Sequence, residues 1–166
     1  MSVPAAQGAP RSHTQLALIL GSTTAITPLA VDMYLPAMPS LSGALGAEPA
    51  QVQLTLSAFF LGLSIGQVFY GALADRHGRR PLLLIGVLLY ALGSAGCALA
   101  SSVEALIFWR FVQAAGSCSG MVIAMAVVRD CFAPREGAHM LSRMTLVMGV
   151  APILAPLMGG AVLSWL

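Results

Sequence analysis

Charged positions cut the chain into long apolar stretches. Uncharged runs occupy residues 12–31, 49–74, 81–103, 111–128 and 144–166, and are 20, 26, 23, 18 and 23 residues long. A hydrocarbon core ~30 Å thick takes about 20 helical residues to cross, so every run has spanning length. The runs are continuously apolar, as in Leu82-Leu83-Leu84-Ile85, where a barrel strand would alternate over ~10 residues. The pattern predicts an all-α integral membrane protein with five transmembrane helices.

The first span runs from about Thr14 to the Pro36/Pro39 region, and "SLSGALGAEPAQ" (40–51) reads as a short outer loop. Glu48-Pro49 suits the first turn of the second span, which continues to about Tyr70. "DRHGRR" (75–80) is then the inner loop and Pro81 precedes the third span. "SSVE" (101–104) reads as a tight outer turn whose Glu104 completes a capping box for the fourth span. That span reaches Val128, "RDCFAPREGAHMLSR" (129–143) is an inner segment, and the fifth span fills the rest. Residues 1–13 are expected to form a cytoplasmic tail and 14–166 a five-helix bundle. A secretory signal is the competing reading of the N-terminus, but its apolar run is long for one.

Composition strengthens the membrane reading. The chain is 58% hydrophobic and 8% charged, against roughly 25% charged in a soluble domain. All eight basic residues are arginine, and their placement matters more than the net charge of +2. Arg11 precedes the first span; Arg76, Arg79 and Arg80 follow the second; Arg129, Arg135 and Arg143 follow the fourth, whereas Glu48 and Glu104 lie on the other side. Basic excess marks cytoplasmic loops, which puts the N-terminus inside and accounts for the arginines without nucleic acid. Cys97, Cys118 and Cys131 have no ligand spacing, so no metal or cofactor is expected.

Small residues recur four apart on the spans, at Gly62/Gly66, Gly116/Gly120 and Ala155/Gly159. Such spacing lets helices pack closely in lipid. Pro28 removes the hydrogen bond to the Thr24 carbonyl, with Thr23, Thr24 and Thr27 able to satisfy freed groups, and Pro152 and Pro156 act likewise in the fifth span ahead of Gly159-Gly160.

An ionisable residue within a span is a functional-site candidate. Asp32 and Arg110 qualify, and counting ~1.5 Å per residue from opposite ends puts them at similar depth in the outer half of the membrane. They are expected to face a common water-accessible cavity, paired directly or holding an anionic and a cationic position around a ligand. An intramembrane enzyme would need a nucleophile and a base at one depth, but His13, His77 and His139 all fall in cytoplasmic segments. No enzymatic activity is expected.

Between the second and third spans, Gly71-x-Leu73-Ala74-Asp75-Arg76-x-Gly78-Arg79-Arg80 resembles the signature loop of the major facilitator superfamily. Arg110-x-x-Gln113-x-x-Gly116 resembles its fourth-helix motif, and Asp130 resembles the acidic residue that completes a charge relay with the loop. "APILAPLMGG" (151–160), with Pro152, Pro156, Gly159 and Gly160, resembles the fifth-helix antiporter motif, with Ala155 where glycine is usual. "VDMYLPAMP" (31–39) and "VVRDCF" (127–132) narrow the resemblance to drug:proton antiporters of the Bcr/CflA type.

The resemblance implies the first five helices of a twelve-helix fold, with helices one and four lining a central cavity. It further implies proton-driven export of drugs or other small amphipathic molecules through the bacterial inner membrane, the proton gradient serving as energy source. In that scheme Asp32 is the protonatable or substrate-facing carboxylate, Arg110 a cavity cation that modulates it, and Gln113 a polar lining group. Gly71, Asp75, Arg76, Gly78, Arg79, Arg80 and Asp130 form a cytoplasmic gate. Alternating access needs two bundles rocking about a site between them, so the partners implied are protons, a small-molecule substrate, the lipid bilayer and a C-terminal half missing from these residues. The alternative is a truncated, non-transporting membrane fragment or an assembly subunit.

Overall fold

The computed structural model describes residues 13–165, and all of its regular structure is helical. The N-terminal tail expected for 1–13 lies almost wholly outside the described residues. The helices are α1 (His13–Asp32), α2 (Met38–Leu45), α3 (Pro49–His77), α4 (Arg79–Ala98), α5 (Val103–Cys131) and α6 (Pro134–Trp165), with a 3-10 turn at Leu35–Ala37. Five segments are long and apolar enough to cross a membrane: Thr14–Leu45, Pro49–His77, Arg79–Ala98, Val103–Cys131 and Pro134–Val162. The number of spans agrees with the charge pattern; the boundaries differ.

The first span is not one helix. It breaks after Asp32 and resumes at Met38, because Pro36 and Pro39 lack the N–H that a continuous helix needs. The expected outer loop at 40–51 is also mostly helix: Ser40 to Leu45 belong to α2, and Gly46 in the left-handed region (φ 58°) ends it. Glu48 then caps α3, its backbone N–H donating to Gln51 Oε1 at 2.9 Å, with Pro49 in the first turn as expected. At the start of α5 the cap is Ser102, whose Oγ accepts from Ala105 N at 3.2 Å. Glu104 therefore sits one position too early to close the expected capping box.

The inner connections are shorter than the charges suggest. α3 runs on through Asp75 to His77 and α4 starts at Arg79, so Gly78 alone, at φ 80°, makes the turn. Likewise α5 extends to Cys131 and α6 begins at Pro134, which makes most of the expected inner segment helical. α3 and α5 have 29 residues each and α6 has 32. At ~1.5 Å per residue these are roughly 43–48 Å long, well beyond a ~30 Å core, so their charged ends project past the lipid.

α5 is the axis of the bundle. α3 and α4 pack on it, α1 packs on both α5 and α6, and α2 closes against α3. The paired small residues make these approaches possible. A Cβ at Gly62 or Gly66 would collide with α5 at Phe111 or Cys118, and one at Gly120 would meet the Thr23 carbonyl oxygen of α1 at 2.5 Å. Apolar clusters close the two ends: Ala17, Leu20, Val128, Met140 and Met144 at one, Ala47, Val52 and Val103 at the other.

Candidate functional site

The polar centre of the bundle is Arg110. It lies two turns into α5 and is only 3% exposed, deep enough that a charge demands compensation. Its Nη1 donates to Gln113 Oε1 at 2.9 Å and to the Ala30 carbonyl of α1 at 3.2 Å. The guanidinium carbon lies 3.8 Å from the centroid of the Tyr34 ring and 4.9 Å from that of Phe59, within the range of cation–π attraction.

Gln113 and Arg110 meet because three residues along a helix bring side chains to one face. Gln113 Nε2 donates in turn to Ser94 Oγ at 2.8 Å, and Ser94 donates to the Tyr90 carbonyl at 2.8 Å. The Cys97 thiol approaches Gln113 Oε1 at 4.0 Å. On the other side, Thr55 Oγ1 donates to the Val52 carbonyl, which leaves its lone pairs for the Tyr34 hydroxyl 2.7 Å away. Tyr34 is thus held from α3 while its ring lies against Arg110. A cavity of about 400 Å³ opens here, lined by Ala30, Met33, Tyr34, Cys97, Arg110 and Gln113 among others.

Asp32 is half-exposed at the last residue of α1 and does not pair with Arg110. Among the described residues the ion pairs are Arg79–Asp130 and Arg129–Asp130. The direct Asp32–Arg110 pair, one of the two arrangements expected, is absent, and Nη1 of Arg110 donates instead to the Ala30 carbonyl and to Gln113. The threonines beside Pro28 also behave differently from expectation. Thr23 and Thr24 donate to the Leu20 and Gly21 carbonyls at 2.8 Å, one turn back, while the buried Thr27 Oγ1 has no partner among the described residues.

At the opposite end, Arg79 in the first turn of α4 donates to Asp130 in the last turn of α5, and Arg129 lies 3.9 Å from the same carboxylate. The signature loop is thereby tied to α5. Asp75 is exposed and joins neither Arg76, Arg79 nor Arg80 in an ion pair; with Gly71 it rims a cavity of about 850 Å³ that Met125, Arg129 and Phe132 also line. Arg76 and Arg80 are exposed, and Gly78 supplies the turn. In α6, Pro152 and Pro156 lie within an unbroken helix and face outward, Gly159 packs on the Met33 carbonyl, and Gly160 has open space around it. Tyr34, Ser94, Cys97 and the Ala30 carbonyl were not singled out from sequence; the aromatic two residues past Asp32 and two before Pro36 was the available signal.

The Major Facilitator Superfamily profile matches residues 20–166. The MFS-type transporter YdgK of Bacillus subtilis (strain 168) is 42% identical over 153 residues, 92% of this chain and 38% of its own length. A chloramphenicol resistance protein of Pseudomonas aeruginosa is 39% identical over 150 residues, 90% of this chain and 36% of its own. A bicyclomycin resistance protein homolog of Haemophilus influenzae is 36% identical over 148 residues, 89% and 37% of the two chains. Among solved structures, a bacterial homolog of the human lysosomal transporter Spinster, inward-facing and unoccupied, shares the fold with a TM-score of 0.79 at 21% identity, over 93% of this chain and 32% of that one. The chain spans a little over a third of the length of the curated relatives it matches.

Proposed function

The chain belongs to the Major Facilitator Superfamily, and from that premise we propose that it forms the N-terminal part of a proton-coupled exporter of small amphipathic molecules. It is a multi-pass membrane protein with five segments of spanning length among the described residues, and its relatives include proteins named for resistance to chloramphenicol and bicyclomycin. The observation that carries the proposal is the Arg110 cluster: a buried cation, held by Gln113 and a backbone carbonyl, beside a cavity between spans. A buried charge in lipid is costly and is kept where it does work.

In this reading the membrane is the bacterial inner membrane and the N-terminus faces the cytoplasm, since Arg76, Arg79, Arg80, Arg129, Arg135 and Arg143 share that end. Asp32 takes up and releases the coupling proton, Arg110 holds the cavity's positive potential, and Gln113 fixes the guanidinium. Arg79 and Asp130 latch the cytoplasmic end while Asp75 faces the second half of the transporter, whose helices complete the pathway. No cofactor or catalytic group is invoked; the proton gradient supplies the energy.

The test is transport by the full-length protein in everted membrane vesicles. Substrate accumulation driven by an imposed pH gradient and abolished by a protonophore is expected. Movement indifferent to the gradient would overturn proton coupling, and no movement of any amphipathic test compound would overturn export.

A further inference from the structure

We infer that Tyr34 is a latch: its hydroxyl, fastened to Thr55, holds the broken outer end of the first span closed over Arg110, and its release opens the cavity to that cation. The inference deepens the export reading and rests on it only for what the opened cavity takes in.

Arg110 borders the cavity between α1 and α5 and is nevertheless only 3% exposed. Two rings lie against its guanidinium. Phe59 is itself fully buried in the middle of α3 and moves only with that helix. Tyr34, whose ring centroid is 3.8 Å from the guanidinium carbon, stands on the break: α1 has ended at Asp32 and the 3-10 turn starts at Leu35, so neither Met33 nor Tyr34 belongs to a helix. Two backbone bonds hold this stretch, from Met33 N to the Leu29 carbonyl at 3.0 Å and from Tyr34 N to the Val31 carbonyl at 3.1 Å. Residues at the ends of elements are the ones that absorb a hinge movement, and of the two rings only Tyr34 is so placed.

The fastening is built to open. Thr55 is fully buried and its Oγ1 already donates to the Val52 carbonyl, so it accepts from the Tyr34 hydroxyl at 2.7 Å without depending on it. When the two part, Thr55 keeps a partner, and the phenol, which lines a cavity of about 400 Å³, turns to water there. One hydrogen bond is exchanged for another and no donor is stranded, which keeps the cost small. Arg110 gives up one aromatic contact, which a ligand or water in the cavity replaces. Gln113 differs, because its amide is engaged at both ends, to Arg110 and to Ser94. With the Ala30 carbonyl, which precedes the break, it keeps the guanidinium in place while the cover moves.

The three native cysteines report the movement in the full-length protein, in membrane vesicles treated with N-ethylmaleimide and read peptide by peptide by mass spectrometry. Cys97 lines the cavity, Cys118 is fully buried inside the bundle, and Cys131 is exposed at the far end of α5. Tyr34→Phe keeps the ring and removes the latch. It should raise the alkylation rate of Cys97 relative to Cys131 about fivefold, the weight of one hydrogen bond in an opening equilibrium, while Cys118 stays unreacted. Thr55→Val removes the same bond from the other side and should match it; the double variant should exceed neither, and Thr55→Ser should behave as the parent. An unchanged Cys97, a rise of Cys97 and Cys118 together, additive effects, or a Thr55→Ser that labels like Thr55→Val would each overturn the latch. Should Tyr34→Phe fail to insert, Thr55→Val against Thr55→Ser decides the matter. An unchanged Cys97 leaves the export reading standing. A released Cys97 in vesicles that move no test compound along a pH gradient defeats the export reading alone.

Discussion

Arg110 and Gln113 are joined at 2.9 Å within the buried centre of α5, and the glutamine passes the contact on to Ser94 of α4. Gln113 therefore has both ends of its amide engaged, which fixes its orientation and with it the position of Nη1. Replacing it by leucine keeps the volume but strands Arg110 and Ser94. Gln113→Leu should lower stability by about 1–3 kcal/mol, read from thermal unfolding in detergent. Gln113→Glu retains an acceptor and adds a countercharge, so it should lie closer to the parent; a Glu variant weaker than the Leu variant would show that burying the added carboxylate outweighs its pairing with Arg110.

Gly159 and Gly160 are neighbours with opposite surroundings. A Cβ at Gly159 would meet the Met33 carbonyl oxygen at 2.5 Å, while nothing lies within 4 Å of one at Gly160. Gly159→Ala should cost about 1–3 kcal/mol through overpacking. Gly160→Ala should be neutral or stabilising by up to about 1 kcal/mol, from the lower chain entropy of alanine in a helix. Equal effects of the two in the same unfolding assay would contradict the packing of α6 on the turn that follows α1.

The Arg79–Asp130 pair has side chains 23% and 49% exposed, which screens it. A double-mutant cycle with Arg79→Gln and Asp130→Asn should give a coupling under about 1 kcal/mol that shrinks with added salt. In the full-length protein the same substitutions, and Asp75→Asn, should impair transport without altering topology. Normal turnover would leave this loop as an orienting device only.

Asp32→Asn in the full-length protein should abolish gradient-driven export while membrane insertion, followed by labelling of engineered loop cysteines, stays as in the parent. Unchanged efflux would remove Asp32 from proton coupling.

Charge spacing alone yields the five spans, because a helix in lipid must be apolar for its whole crossing. It misplaces the ends, since Asp75, Arg76 and Arg129 mark where lipid stops and backbone hydrogen bonding in α3 and α5 continues beyond that point. Ser40 to Leu45 look like a loop because serine and glycine are common in turns, yet they form α2, which packs against α3. The Arg110–Gln113 contact is visible as a three-residue spacing on one helix. Its partners Ala30, Tyr34 and Ser94 lie on other elements, and a backbone carbonyl such as that of Ala30 leaves no mark in the sequence.

The helix pairings divide the bundle into two groups. α3 and α4 are seated on α5, whereas α1 is seated chiefly on α6, and the groups meet mainly where α1 touches α5, with a smaller contact between α5 and α6. The Arg110 cavity straddles this seam: Ala30, Met33 and Tyr34 form one bank, Cys97, Arg110 and Gln113 the other. The bond between Tyr34 and Thr55 of α3 is one stitch between them, and the bond from Arg110 to the Ala30 carbonyl is another. Sliding α1 along α5 by one residue, ~1.5 Å, would undo that stitch while Gln113 kept its grip on the guanidinium. The cavity is thus a gauge of helix position, widening or narrowing with a displacement smaller than one turn.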